Sequence, residues 1–440
     1  MLAKNVIRQF ITQIIGLVSG LATSIITARI LGPEGRGDFS LLLNTSGFVS
    51  LILGFSFSVS IVHVISSERM PVRNTVNTFT LLVLLLCLVC ILVLWFFPFH
   101  LYAFLVPRDF EQKKIFYLCV LIALFVIGLF NSLYTAFLSG KRLFWEQQKV
   151  NLVFACYSIV AYGLLYYFKT DLGLTFDSFM LFYLSSLLFP VIGFYWMYFR
   201  HARPAWSFSF LNKEQLRYVL GYSMLAYLCN VFQFLSNRMD FWFIEHFKGS
   251  RDLGYYSLSV NLAQMLWVLP QAISMILLSY SGAQTREKAI ENTNALSRMA
   301  VFVVGSASVL LLFIIDYIIP FLYGQDYFAS AFLFKLLLAG IVPFSITTIL
   351  ASYFSGRGKM RINLYTSLLS FMICLAGDLA LIPLYGNTGA AIATIISYAF
   401  STFFITFVYI RREKVKWNDL IVLKRSDVDA VRARLGKGKK

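Results

Sequence analysis

Charge is what this 440-residue chain has least of. Only 13% of its residues are Asp, Glu, Lys or Arg, roughly half the ~25% of a soluble domain. Residues 81–97 and 115–139 carry no charge at all. Apolar runs of about 20 residues match the thickness of bilayer hydrocarbon at ~1.5 Å rise per residue, so a soluble globular fold is excluded. Histidine is scarce too, and four scattered residues make no ligand cluster, so no metal is expected. The Gly-x-x-x-x-Gly-Lys-Ser/Thr loop that cradles nucleotide phosphates is missing, which excludes direct ATP drive and implies no cofactor. The six cysteines (Cys87, Cys90, Cys119, Cys156, Cys229 and Cys374) all lie in apolar runs. Cys87-x-x-Cys90 has half the spacing of a zinc or redox site but no partner pair. These read as small apolar residues, with no structural disulfide expected.

What is present is a series of apolar runs separated by charge, Pro and Gly. They predict an all-α polytopic membrane protein of about twelve transmembrane helices, over 9–30, 39–65, 76–97, 115–138, 150–168, 179–199, 218–244, 254–280, 299–319, 331–355, 363–384 and 389–410. Lys4 and Arg8 before the first run have the outline of a signal peptide. The run continues to residue 30, too far for one, and is expected to be an uncleaved span. No lipidation signal is read at either end.

Lys and Arg set the orientation. Of 38, 28 fall on the side of the N-terminus and eight on the other, with Arg238 and Lys335 inside spans. The positive-inside rule then puts both termini in the cytoplasm. From Arg411 onward the tail carries 11 basic and four acidic residues. Such a juxtamembrane segment can lie on anionic headgroups, and no nucleic-acid-binding module precedes it. Its last five residues are expected to be disordered.

The chain also repeats itself. At an offset of 217, Gly32, Gly37, Ser40, Leu41 and Asn44 fall on Gly249, Gly254, Ser257, Leu258 and Asn261. At 216, Phe137-Leu-Ser139-Gly140-Lys141 falls on Tyr353-Phe-Ser355-Gly356-Arg357. These matches, in order and at nearly constant offset, predict two six-helix lobes, 1–205 and 206–410, inserted with the same orientation, then a basic cytoplasmic tail, 411–440.

Several segments carry a family resemblance: ARILGPEGRGDFSLL at 28–42, LGYYSLSVN from Leu253, IPFLYGQDYFASAFLFK at 319–335, and 376–393 with Leu381-Ile382-Pro383 and Gly386-x-x-Gly389-Ala390-Ala391. Together they resemble the Wzx-type polysaccharide flippases of the multidrug/oligosaccharidyl-lipid/polysaccharide (MATE-like) exporter superfamily. One departure is Asp378, where a neutral polar residue is expected. The resemblance implies a MATE-like fold in a bacterial inner membrane. It implies a flippase, not an enzyme, that carries undecaprenyl-pyrophosphate-linked oligosaccharide repeat units from the cytoplasmic to the periplasmic leaflet for O-antigen, capsule or exopolysaccharide. Its partners would be that lipid-linked oligosaccharide, membrane lipids and the polysaccharide polymerase machinery. Two other readings stay open. An ion-coupled multidrug antiporter of the same superfamily should show dominant acidic cavity residues. A membrane glycosyltransferase or polymerase needs a long periplasmic loop, and none here exceeds about twenty residues.

A flippase of this kind needs a polar cavity with cationic groups for a pyrophosphate. Ionisable residues inside spans are the candidates, because an unpaired charge in hydrocarbon costs at least ~2.5–3.5 kcal/mol. Arg238 and Asp240, at i and i+2, face different sides of the seventh span. Arg238 is either a contact to phosphate or a sugar carboxylate, or half of a structural pair with another helix. Asp240 holds a neighbouring cation or anchors packing. Asp378 is a candidate for a coupling cation or a sugar hydroxyl. Lys335 is a candidate that could equally pair with Asp316 across spans. Arg29 either lines the cavity or snorkels to headgroups. His63 reads as an ordinary hydrogen-bonded histidine. Pro270 and Pro343, within spans, are hinge candidates. Gly16-x-x-x-Gly20 would permit close helix approach.

Overall fold

The computed structural model describes residues 2–54, 57–66, 72–96, 114–169, 173–202, 211–268, 270–272, 274, 277 and 285–424. Helices α1 (Leu2–Gly54), α2 (Phe57–Ser66), α3 (Val72–Phe96), α4 (Lys114–Gly140), α5 (Phe144–Tyr167) and α6 (Phe176–Ala202) make the first part. They are followed by α7 (Lys213–Lys248), α8 (Ser250–Met265), α9 (Arg286–Tyr323), α10 (Phe328–Gly356), α11 (Met360–Tyr385), α12 (Asn387–Glu413) and the single turn α13 (Asn418–Ile421). No strand occurs among the described residues. Every expected span coincides with a helix; the first two fall on α1 and α2, and the eighth on α8 and the partly described stretch after it. Among the described residues nine helices are long and apolar enough to cross a membrane, and the first of these runs, 12–54, has the length of two crossings.

The helices are turned inside out relative to soluble ones. On α9, Leu310, Phe313, Tyr317 and Phe321 form an exposed stripe at helical spacing. Its buried side carries Thr293, Ser297, Ala300, Val304 and Ser308. On α12, Ile396, Phe400, Phe403 and Phe407 face outward while Ala390, Thr394, Ser397 and Ser401 are buried. Lipid offers apolar side chains the same environment as a core does, so close packing falls to small and hydroxylic residues.

The chain forms two compact units, residues 1–231 with 248–254, and 232–247 with 255–440. In the first, Ile61, Ile65, Phe79, Phe137 and Phe194 anchor a core shared by α2, α3, α4 and α6. The second is built around Ile349, Tyr353, Phe354, Ile405 and Tyr409 of α10 and α12.

In the first unit, α1 breaks at Gly32, with φ 66° and ψ −179°. Only glycine adopts that backbone at little cost, and Pro33, which disfavours a helical residue before it, restarts the helix. Its repeat partner Gly249 likewise has φ 88°. The next glycine of each repeat then makes a reciprocal crossing. A Cβ on Gly37 would stand 1.8 Å from the Ser250 carbonyl oxygen, and one on Gly254 would stand 1.8 Å from that of Pro33.

Two expectations change. Residues 31–38, which separate the first two expected spans, make no loop: Arg36 there lies in the second half of α1, 4% exposed, donating to the Ser24 carbonyl (3.0 Å) and hydroxyl (3.1 Å). The single-residue break at Gly32 leaves no room for a loop, so the basic side chain turns inward to backbone acceptors. Gly16 and Gly20 meet no close helix among the described residues, none of which comes within 4 Å of a Cβ built on either.

Candidate functional site

Within the second unit, residues 232–247 of α7 run beside α8, α11 and α12, and polar side chains meet there. Arg238 donates to Asn261 Oδ1 (3.2 and 3.3 Å) and to Gln264 Oε1 (2.7 Å). Its guanidinium carbon lies 4.9 Å from the centroid of the Phe241 ring. Asn261 and Gln264 are three apart on α8, so one helix face presents both amides to the planar fork. Two amide oxygens and a ring face orient the guanidinium.

Asp240 turns elsewhere. It is 1% exposed, and its Oδ2 accepts the Tyr256 hydroxyl at 2.5 Å. The same hydroxyl oxygen is 3.3 Å from Thr394 Oγ1. Asp378, 0% exposed on α11, accepts the Cys374 thiol of the preceding turn at 3.5 Å. The other carboxylate oxygen of each, Oδ1, is buried and has no hydrogen-bond partner among the described residues. A buried carboxylate oxygen needs a donor or a positive charge to offset its lost hydration. Asn237 accepts the Tyr398 hydroxyl at 3.2 Å, and Ser236, Ser370 and Ser397 form a hydroxyl cluster at 2.7–3.4 Å. The Tyr398 ring packs at 4.4 Å, tilted by 32°, against Phe344, which lies 4.9 Å from Trp267.

The remaining candidates are distributed. Lys335 on α10 is ion-paired with Asp316 on α9, both side chains being partly exposed. Arg29 belongs to the first unit, where it is exposed and its carbonyl accepts Lys169 Nζ at 3.2 Å. Helix α10 continues unbroken through Pro343. Pro270 is buried in the partly described stretch after α8. The side chain of His63 lies outside the described residues. Sequence reasoning did not single out Gln264, Tyr256, Asn237, Thr394 or Tyr398. The available signal was weak: neutral polar residues at helical spacing in the segments flanking the two acids.

The family model described as polysaccharide biosynthesis protein matches residues 2–279. The chain belongs to that family. Protein 1 of the Lsg locus of Haemophilus influenzae is 22% identical over 203 residues, 45% of this chain and 51% of that protein. The chain therefore spans about half the length of the curated relative it matches. A solved structure of the lipid II flippase MurJ in an inward closed conformation superposes with a TM-score of 0.72 at 14% identity, covering 92% of this chain and 87% of that one. An inward-facing multidrug resistance MATE transporter of the MOP superfamily gives 0.68 at 14% identity, covering 93% and 98%. At such identity the likeness is one of fold, so this member of the polysaccharide biosynthesis family is a multi-pass helical membrane protein with the MurJ and MATE fold.

Proposed function

We propose that the protein is a flippase for an undecaprenyl-pyrophosphate-linked oligosaccharide repeat unit, moving it from the cytoplasmic to the periplasmic leaflet of a bacterial inner membrane for surface polysaccharide. Membership of the polysaccharide biosynthesis family and a fold shared with a lipid II flippase support this reading. The observation that carries it is Arg238, a guanidinium held by neutral acceptors and a ring face in the interior of a membrane helix bundle. A pyrophosphate or acidic sugar is the chemistry such a fork receives best. Both termini are cytoplasmic, two lobes (1–205 and 206–410) alternate access, and Pro270 and Pro343 serve as hinges. Asp240 and Asp378 take the coupling proton or cation. The polymerase machinery receives the flipped unit.

The test measures glycan display and membrane-protein abundance together. Arg238→Ala abolishes surface polysaccharide at ordinary protein level, and Arg238→Lys retains part of it, since charge survives without bidentate geometry. Full display from Arg238→Ala removes the residue from the site. A purely structural Arg238 shows itself instead as a fall in folded protein. The buried carboxylates favour cation antiport of drugs as the second reading. A deletion strain that keeps its full glycan but loses tolerance to cationic drugs selects that reading.

A further inference from the structure

After α12 the chain folds back, and nothing in the polar cluster of the second unit requires it to. Glu413 ends the helix, and Lys414 adopts a left-handed conformation, φ 55° and ψ 42°, that reverses direction. A tight turn follows: Lys416 N donates to Asp419 Oδ2 (3.2 Å), Asp419 N to the Lys416 carbonyl (3.0 Å) and Val422 N to that of Asn418 (3.1 Å). One side of this strap is fastened. Leu420 is fully buried with Ile405 and Tyr409, and Arg298 donates to the Asp419 carbonyl at 2.6 Å.

The other side is an exposed aromatic shelf with cations at its rim. The Trp417 ring lies against Phe403 (6.0 Å, 23°), Phe403 against Phe407 (6.1 Å, 17°), and the Arg411 guanidinium 4.6 Å over Phe407. All four side chains are exposed, as are Ile421 and Val422. Arg412, Lys414 and Lys416 are exposed too, and their side chains have no ion-pair partner among the described residues. Phe403 and Phe407 belong to the outward stripe of α12, which faces acyl chains. Trp417 continues that stripe at the helix end, where indole rings favour the boundary between hydrocarbon and headgroups. Arg412, Lys414 and Lys416 thus place three exposed cations within five residues at the same end of the helix as Trp417.

We infer that residues 403–422 form a docking surface for anionic phospholipid in the adjoining leaflet. Acyl chains lie on Phe403, Phe407 and Trp417, and headgroup phosphates meet Arg412, Lys414 and Lys416. The inference rests on the chain crossing a membrane and not on what it carries. A surface cation near an anionic membrane contributes about fivefold in binding, so removing all three costs roughly a hundredfold.

The experiment uses the full-length protein in nanodiscs. Trp417 fluorescence is taken as the difference between the unaltered chain and Trp417→Phe. Brominated phosphatidylglycerol or brominated phosphatidylcholine is added at equal mole fraction. Phosphatidylglycerol is expected to quench Trp417 more strongly, and added salt weakens the preference. The triple variant Arg412→Gln, Lys414→Asn, Lys416→Gln abolishes it; Asn at 414 tolerates the left-handed backbone. Lys416→Gln alone, away from the helix cap, lowers it about fivefold. Equal quenching by the two lipids overturns the inference, as does a preference that survives the triple variant. Absence of quenching by either lipid, the result if another protein covers the strap, also overturns it.

Discussion

Residues 21–44 and 238–261 are two copies of one backbone device carrying different chemistry. Gly32 and Gly249 both take positive φ, and Gly37 and Gly254 reciprocally meet the backbone of the other copy. Yet at the positions of Arg238 and Asp240 the first copy has Leu21 and Thr23. The Thr23 hydroxyl returns to its own helix, at the Ser19 (3.0 Å) and Gly20 (3.1 Å) carbonyls. Asp240 instead reaches Tyr256 on the next helix, and Arg238 reaches Asn261 and Gln264. The glycines serve geometry and are needed in both copies. A buried charge is costly in a membrane; the second copy buries Asp240 here, whereas the first buries its charges further along, at Arg36 and Asp38.

The crossing is where the two copies are most sensitive to substitution. Gly37→Val and Gly254→Val place a side chain onto a carbonyl oxygen, so the loss should reach or exceed the ~1–3 kcal/mol of ordinary overpacking. Little folded protein should then be recovered from membranes, whereas Gly16→Ala and Gly20→Ala, with open space around them, should keep wild-type yield. Normal yield for both valine variants would show that the two copies need not touch.

Next in size is Tyr256→Phe. It strips a donor from a buried carboxylate and should cost about 1.5–3 kcal/mol, seen as a lower melting temperature of the purified protein. Combining it with Asp240→Asn should recover much of the loss, because a neutral amide leaves less charge stranded. If the double variant melts no higher than the single one, the Asp240 charge is not the source of the cost.

Thr23→Val, at the position where the first copy has a hydroxyl in place of Asp240, is expected to change stability by less than about 0.5 kcal/mol, since it removes only a local helix bond. A cost as large as that of Tyr256→Phe would erase the distinction between the copies. Smallest is Lys335→Gln, which breaks a partly exposed ion pair with Asp316 worth about 0–1 kcal/mol. Its melting curve should overlay the wild type, and a large shift would mark the pair as buried in the bilayer environment.

That Arg238, Asp240 and Asp378 sit within helices was legible because charges stand out in apolar runs. Their partners were not. Gln264 and Tyr256 are ordinary residues until folding brings α8 against α7, and 24 tyrosines give no reason to choose Tyr256 or Tyr398. The gap between the first two expected spans misleads for a related reason: Gly, Pro and charge within 32–38 are the marks of a loop. Here one glycine makes the whole break, and the helix resumes at Pro33 with Arg36 buried.

Sequence by itself determined that this chain spans a membrane many times, and where its helices run. Hydrocarbon demands apolar length, and backbone groups in lipid must bond within their own segment. It also held the duplicated glycines, since positive φ and close backbone approach each require a residue without Cβ. Only the tertiary structure decided that Gly37 and Gly254 meet, that Arg238 is gripped by amides while two carboxylates each keep an oxygen without a partner among the described residues, and that Trp417 folds back onto Phe403. Such contacts join residues far apart in the chain, and their energies depend on distances that no local pattern encodes.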